Sequence, residues 1–166
     1  MSIDYFKIFG LPSHYALDVA SLEQNYRRLS TQYHPDKTAH LSAFEQKQAV
    51  MLFATVNDAY RVLKSPLDRA AYLLKQQNIH ADAPEHTQFA PEFLMQQMQW
   101  REDLEDAQGN ETALLNLQSD IEQTYQALQQ DLLKDFEQEQ WQQAAAHVRE
   151  GRFLSKLLEQ IKQALP

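Results

Sequence analysis

LEQNYRRLSTQYHPDKTAHLSAFEQKQAVMLFATVNDAYRVLK, residues 22–64, is the stretch on which the fold turns. Its first part sets Leu22, Tyr26, Leu29 and Tyr33 at steps of 4, 3 and 4, one face of an α-helix that ends near His34. Pro35 cannot continue that helix, because it has no N–H to donate and its ring clashes with the preceding turn. It also biases His34 towards extended ψ. The second part carries Leu52, Phe53, Val56, Ala59, Tyr60 and Leu63 as one pattern and predicts a longer helix from about Leu41 to Lys64. Two antiparallel helices joined by a loop at residues 34–40 are therefore expected.

On the N-terminal side of this hairpin, Asp4 to Phe9 predicts a short opening helix stopped by Gly10 and Pro12. On the other side, Ser65 caps a new start with Pro66 at the first helical position, and Leu67, Ala70, Ala71 and Leu74 follow. The segment from Asn78 to Pro91 holds two of the six prolines and little apolar periodicity, and reads as a linker. Charge changes across it. Residues 1–75 carry nine basic and seven acidic side chains, whereas residues 76–166 carry six and sixteen. Three further helices are expected after it. One runs from Pro91 to about Gln108 and stops at Gly109. The next starts at Asn110 and carries Leu114, Leu117, Ile121, Leu128, Leu132 and Phe136. The last runs from Gln140 to Ala164 with Trp141, Ala145, Val148, Leu154, Leu158, Ile161 and Leu165. Gly151 is expected to weaken or kink this last helix. Short connections make neighbours antiparallel, so the second half reads as a three-helix bundle. The expected division is a first domain at 1–75, a linker at 76–90 and the bundle at 91–166.

Composition agrees with an all-α fold. β-branched residues are sparse, while Leu, Ala, Gln and Glu, which lose little side-chain freedom in a helix, are plentiful. With no cysteine, the chain has no disulfide framework, thiolate nucleophile or Cys-ligated zinc. Three glycines, all far apart, exclude a glycine-rich phosphate cradle. A net charge of −8 opposes nonspecific attachment to nucleic acid or an anionic membrane. No segment reaches the roughly 18 apolar residues of a membrane span, and no secretory signal opens the chain. The expectation is a soluble cytoplasmic protein with neither metal nor cofactor.

One loop carries a chemical signal: Tyr33-His34-Pro35-Asp36-Lys37. Pro35 fixes the turn and holds Asp36 outward, where its carboxylate can form a charge-assisted pair with a partner's arginine. His34 can hold the loop or donate to a partner's carbonyl. Arg27 and Arg28, on the outer face of the preceding helix, supply a positive surface that favours encounter with an acidic partner. A His34–Asp36 catalytic dyad is the rival chemical reading. The intervening proline splays the two side chains, and no nucleophile or oxyanion donor accompanies them.

This helix–loop–helix, followed by Asn57-Asp58-Ala59-Tyr60-Arg61-Val62-Leu63 and Asp68-Arg69, resembles a J-domain, the module that stimulates the ATPase of DnaK-type chaperones. The resemblance narrows to the HscB family, co-chaperones of iron–sulfur cluster assembly. It rests on Asp4-Tyr5-Phe6-Lys7-Ile8-Phe9-Gly10-Leu11-Pro12, Arg69-Ala70-Ala71-Tyr72-Leu73-Leu74, Phe93-Leu94-Met95-Gln96-Gln97-Met98 with Arg101-Glu102-Asp103-Leu104, and Arg152-Phe153-Leu154. It spans nearly the whole chain and implies two partners. The chaperone HscA would be met through His34, Pro35, Asp36, Arg27, Arg28 and Lys37, and the scaffold protein IscU through the C-terminal bundle. It implies an adaptor and not an enzyme. The alternative is a general J-domain co-chaperone whose bundle binds a different client. Cysteine-rich metal sites of human-type relatives are impossible here.

The helix from Pro91 carries two stripes. Phe93, Trp100, Leu104 and Ala107 form one, and Leu94, Met95, Met98, Glu102 and Asp106 form another, rotated towards solvent. A bundle helix needs a single apolar stripe, so the second invites a partner, and methionine adapts to one through its flexible thioether. By resemblance this stripe is the IscU-binding patch. Gln99 belongs to it, at a place where an acid is common in the family. Phe153, turned away from the apolar stripe of the last helix, is expected to join the patch. Apart from His34, the histidines are expected at the surface or at caps.

Overall fold

The computed structural model describes residues 3–83 and 89–166. Among the described residues all regular structure is helical: α1 (Tyr5–Ile8), α2 (Val19–Gln32), α3 (Pro35–Thr38), α4 (Ala43–Lys64), α5 (Pro66–Gln76), α6 (Pro91–Asp106), α7 (Glu111–Glu137) and α8 (Trp141–Ala164). The chain forms two compact units, Met1–Leu73 and Leu74–Pro166.

In the first unit, Asp4 caps α1 by accepting the Phe6 and Lys7 N–H groups, and Asp18 caps α2 by accepting that of Ser21. The helix is left after α1 through Gly10 at φ 63°, a left-handed conformation open to glycine at no steric cost. Ser42 and Glu45 form a reciprocal capping box on α4. The main packing is α2 against α4, with α1 and α3 also resting on α4. Phe6, Phe9, Leu22, Val56, Ala59, Leu63, Leu67 and Ala70 are buried. The α2–α4 seam holds Tyr26 stacked on Tyr60 with ring centroids 3.8 Å apart, and the Tyr26 hydroxyl donates to Asn57 Oδ1 at 2.7 Å. Tyr5 stacks flat on Tyr72 at 4.9 Å and so ties the chain's start to α5. Leu52, expected in the buried pattern of α4, is 46% exposed.

The loop expected at residues 34–40 contains a turn of helix, α3. Proline ends α2 but suits the first position of the next helix, where its missing N–H has no partner to lose and its φ is already set. His34 sits at ψ 139°, extended as the following proline requires, and becomes the N-cap of α3.

In the second unit, α7 and α8 pair closely through Leu114, Leu117, Ile121, Leu128 and Leu132 on one side and Ala144, Ala145, Val148, Leu154, Leu157 and Ile161 on the other. Leu157, not Leu158, takes the buried position. α8 runs unbroken through Gly151, which is itself buried. Gly109 at φ 78° leaves α6, and Asn110 caps α7 by accepting the Ala113 N–H at 3.1 Å. α6 adds the third helix through an aromatic cluster. In it Phe93 meets Phe153 at 5.8 Å and Trp100 meets Phe153 at 6.2 Å. Ahead of α6, Ala81 is buried and Asp82 receives both a 3.0 Å and a 2.9 Å hydrogen bond from Arg152. Residues 84–88 of the expected linker lie outside the described residues.

Candidate functional site

The His34-Pro35-Asp36 loop is built by capping. The Asp36 N–H donates to His34 Nδ1 at 3.1 Å, and the buried Thr38 hydroxyl donates to the carbonyls of His34 and Pro35 at 3.3 and 3.4 Å. The imidazole also meets Phe53 of α4 edge-on at 5.8 Å, so the ring is held from two sides. Nδ1 is engaged by a main-chain proton, and it cannot at the same time donate to the Asp36 carboxylate 3.7 Å away. The arrangement is a helix cap and does not form a catalytic dyad. Its consequence is a carboxylate 91% exposed, held on a rigid turn and turned to solvent.

Arg27 and Arg28 on α2 and Lys37 on α3 are all exposed. Arg27 is 3.7 Å from Glu23 on the same helix and 81% exposed, a weak surface pair that a partner can replace. Glu23 also accepts from the Tyr60 hydroxyl at 3.3 Å. Desolvation first, and then this carboxylate, push the Tyr60 phenol above its ordinary pKa. The Tyr60 hydroxyl therefore keeps its proton through the physiological range.

Arg69 was quoted above only as part of a motif. It is 6% exposed, donates through Nη1 to the Leu63 carbonyl at 2.7 Å and lies 5.1 Å over the Tyr15 ring. Burial lowers its pKa. It holds α4, α5 and the loop before α2 together, and nothing in linear sequence marks it as internal.

On α6 the two stripes separate as expected. Leu94, Met95 and Met98 are 45%, 72% and 71% exposed, and Glu102 and Asp106 are exposed beside them. Gln99 donates to Asp103 Oδ1 at 2.9 Å, one turn on, so its amide steadies a carboxylate along the patch edge. Phe153 is placed differently from the exposed trio. It is half-buried against Phe93 and Trp100 on the inner side of α6, with the Arg101 guanidinium 5.5 Å over its ring. The inner stripe also contains Gln97, buried at the step between Phe93 and Trp100, with its Nε2 unpartnered. A polar residue at a core step is invisible to a count of apolar periodicity. His147 departs from the expected surface placement. Its Nδ1 lies 2.5 Å from Asp135 Oδ2, both largely buried between α7 and α8. Among the described residues no cluster of three or more His, Cys, Asp or Glu side chains is arranged to hold a metal, and no helix is long and apolar enough to cross a membrane.

The two units coincide with two family models, the DnaJ domain over residues 4–72 and the HSCB C-terminal oligomerisation domain over residues 89–162. A co-chaperone protein HscB homolog of Neisseria meningitidis is 53% identical over 97% of this chain and 98% of its own length. One from Bordetella pertussis is 40% identical over 98% and 96%. The solved chaperone HscB from Vibrio cholerae superposes with a TM-score of 0.86 at 34% identity, covering 97% of this chain and 96% of that one. Human co-chaperone HscB gives 0.92 at 27% identity, covering 98% and 82%. With a DnaJ domain model over the first unit, an HSCB C-terminal domain model over most of the second, and these relatives matched over nearly the whole of this chain, the chain belongs to the HscB family of co-chaperones.

Proposed function

We propose that the chain stimulates the ATPase of a specialised DnaK-type chaperone, HscA, and delivers the iron–sulfur scaffold IscU to it in the cytoplasm, without itself catalysing a reaction. The observation that carries this reading is the Asp36 carboxylate, 91% exposed and held on a capped turn that follows the helix carrying the exposed Arg27 and Arg28. A preorganised carboxylate is suited to an arginine of the chaperone, and the basic helix orients the encounter. If the loop binds the hydrolysis-competent state of the chaperone more tightly than the resting state, docking shifts the chaperone towards hydrolysis by that difference in affinity. Leu94, Met95 and Met98, with Gln99, Glu102 and Asp106 along the edge, form the surface for the scaffold, and Phe153 supports α6 from beneath. Carrying both contacts on one chain raises the effective concentration of client at the chaperone.

The test is Asp36→Asn, which removes a charge with little change of volume. Steady-state ATPase of HscA should lose its stimulation while circular dichroism and IscU binding stay as in the parent. Full stimulation by the variant would remove the loop from the mechanism. A defined 1:1 complex with IscU separates the dedicated adaptor from a general J-domain co-chaperone.

A further inference from the structure

A groove of ≈ 440 Å³ opens among α6, α7 and α8, and none of Leu94, Met95 and Met98 lines it. Its apolar wall includes Phe93, Trp100 and Leu154, and Glu92, Asp131 and Glu150 bring three carboxylates to it. No lysine or arginine is among its lining residues. None of these carboxylates is in an ion pair among the described residues. His147 also lines the groove, but its Nδ1 is turned to the buried Asp135 carboxylate, which balances any charge it takes up. Burial raises the Glu150 pKa; His147 opposes this, Asp131 adds to the rise, and Arg149 opposes it least. This is the behaviour of a partly desolvated carboxylate in which burial outweighs its neighbours.

The lining selects its ligand by exclusion. An anion is repelled, and a neutral apolar group would leave the half-buried Glu150 carboxylate without a partner while Glu92 and Asp131 stay exposed at the rim. A cation carried on an apolar stem satisfies both walls: the stem covers the aromatic side, and the head meets the carboxylates. The guanidinium is the better match, since it stacks on aromatic faces and pairs with carboxylates through a planar fork. The volume is within the roughly 300–1,000 Å³ of small ligand sites, and the sixteen acidic against six basic side chains of residues 76–166 draw basic segments towards this half. We propose that the groove receives an arginine side chain of a partner protein, its stem along Phe93 and Trp100 and its guanidinium among Glu92, Asp131 and Glu150. The site is independent of the Leu94–Met98 patch and of the function proposed above.

The chain has two tryptophans, so Trp141→Phe leaves Trp100, in the groove wall, as the single reporter. The full chain is titrated with the capped tripeptide Ala-Arg-Ala, with its citrulline counterpart and with spermine, following Trp100 emission. Saturable binding of the arginine peptide is expected, weaker by about tenfold for citrulline, which keeps the shape and loses the charge. Asp131→Asn with Glu150→Gln should weaken it by about tenfold as well, while Glu102→Gln with Asp106→Asn, an equal loss of charge elsewhere, should change it less than about twofold. Ala127→Phe, at an exposed lining position, should fill the groove and abolish binding with helicity unchanged. The proposal is overturned by absence of saturation, by equal losses in the two acidic double variants, or by persistence of binding in Ala127→Phe. A response to spermine with none to the peptide would make this a polyamine site and would also overturn it.

Discussion

At the scale of single residues, one ionisable group in each unit is drawn inward: Arg69, buried in the first, and Glu150, half-buried in the second. Arg69 joins the Leu63 carbonyl and the Tyr15 ring from a nearly fully buried position. Arg69→Ala removes the stem's packing and strands a buried carbonyl, and is expected to cost about 2–4 kcal/mol, read as a lower urea midpoint of the first unit. Glu150 acts in the opposite sense. Burial raises its carboxyl above the ordinary value, so the folded chain binds that proton at a pH where the unfolded chain has released it. The associated stability is complete below the unfolded carboxylate pKa and is lost as pH rises through the raised folded value. Glu150→Gln, neutral throughout, should therefore melt higher than the parent at neutral pH and converge with it in acid; thermal scans from about pH 4 to about pH 7 cover the window.

At the scale of elements, α6 turns one stripe to the core and another to solvent. Its outer stripe is free and its inner stripe is spent on Phe153 and the α7–α8 pair. Leu94→Ala with Met98→Ala should weaken scaffold binding by about 2 kcal/mol, since a few apolar anchors dominate an interface. The melting temperature should barely move. Phe153→Ala should behave differently, lowering stability by about 2–3 kcal/mol because it opens the aromatic cluster. Equal melting losses in both variants would mean that the exposed stripe is core. The third element of interest, α3, shows how a residue that breaks one helix begins another, and it accounts for the rigidity with which Asp36 is offered.

At the scale of the whole molecule, charge is sorted by unit, with a basic α2 surface in the first and an acidic second unit. Association through the first unit should be the salt-sensitive step. Arg27→Gln with Arg28→Gln should slow chaperone association by roughly tenfold at low salt and by less at high salt, because screening removes the steering that the arginines supply. Stopped-flow association across a salt series reads this, and scaffold affinity measured in parallel should not change. A matching loss of scaffold affinity would show that the two contacts are not separable.

Sequence alone determined what local rules control. Helix starts and stops are decided by caps, prolines and glycines acting within a few residues, so Asp4, Pro35, Ser65, Gly109 and Asn110 marked boundaries close to those observed. The exposed stripe of α6 was legible because a 3.6-residue period sorts side chains by direction without reference to neighbours. Tertiary structure alone decided which polar groups go inside. Arg69, Gln97, Asp135 and His147 are turned inward because other elements cover them, and polarity in a sequence carries no record of a neighbour that arrives from 12 positions away, as between Asp135 and His147, or 54, as between Tyr15 and Arg69. The same holds for Phe153, whose direction on α8 was legible but whose ring lies under α6, and for Glu92, Asp131 and Glu150, which three separate helices bring to one groove. Periodicity fixes the face of a helix; only packing decides what that face meets.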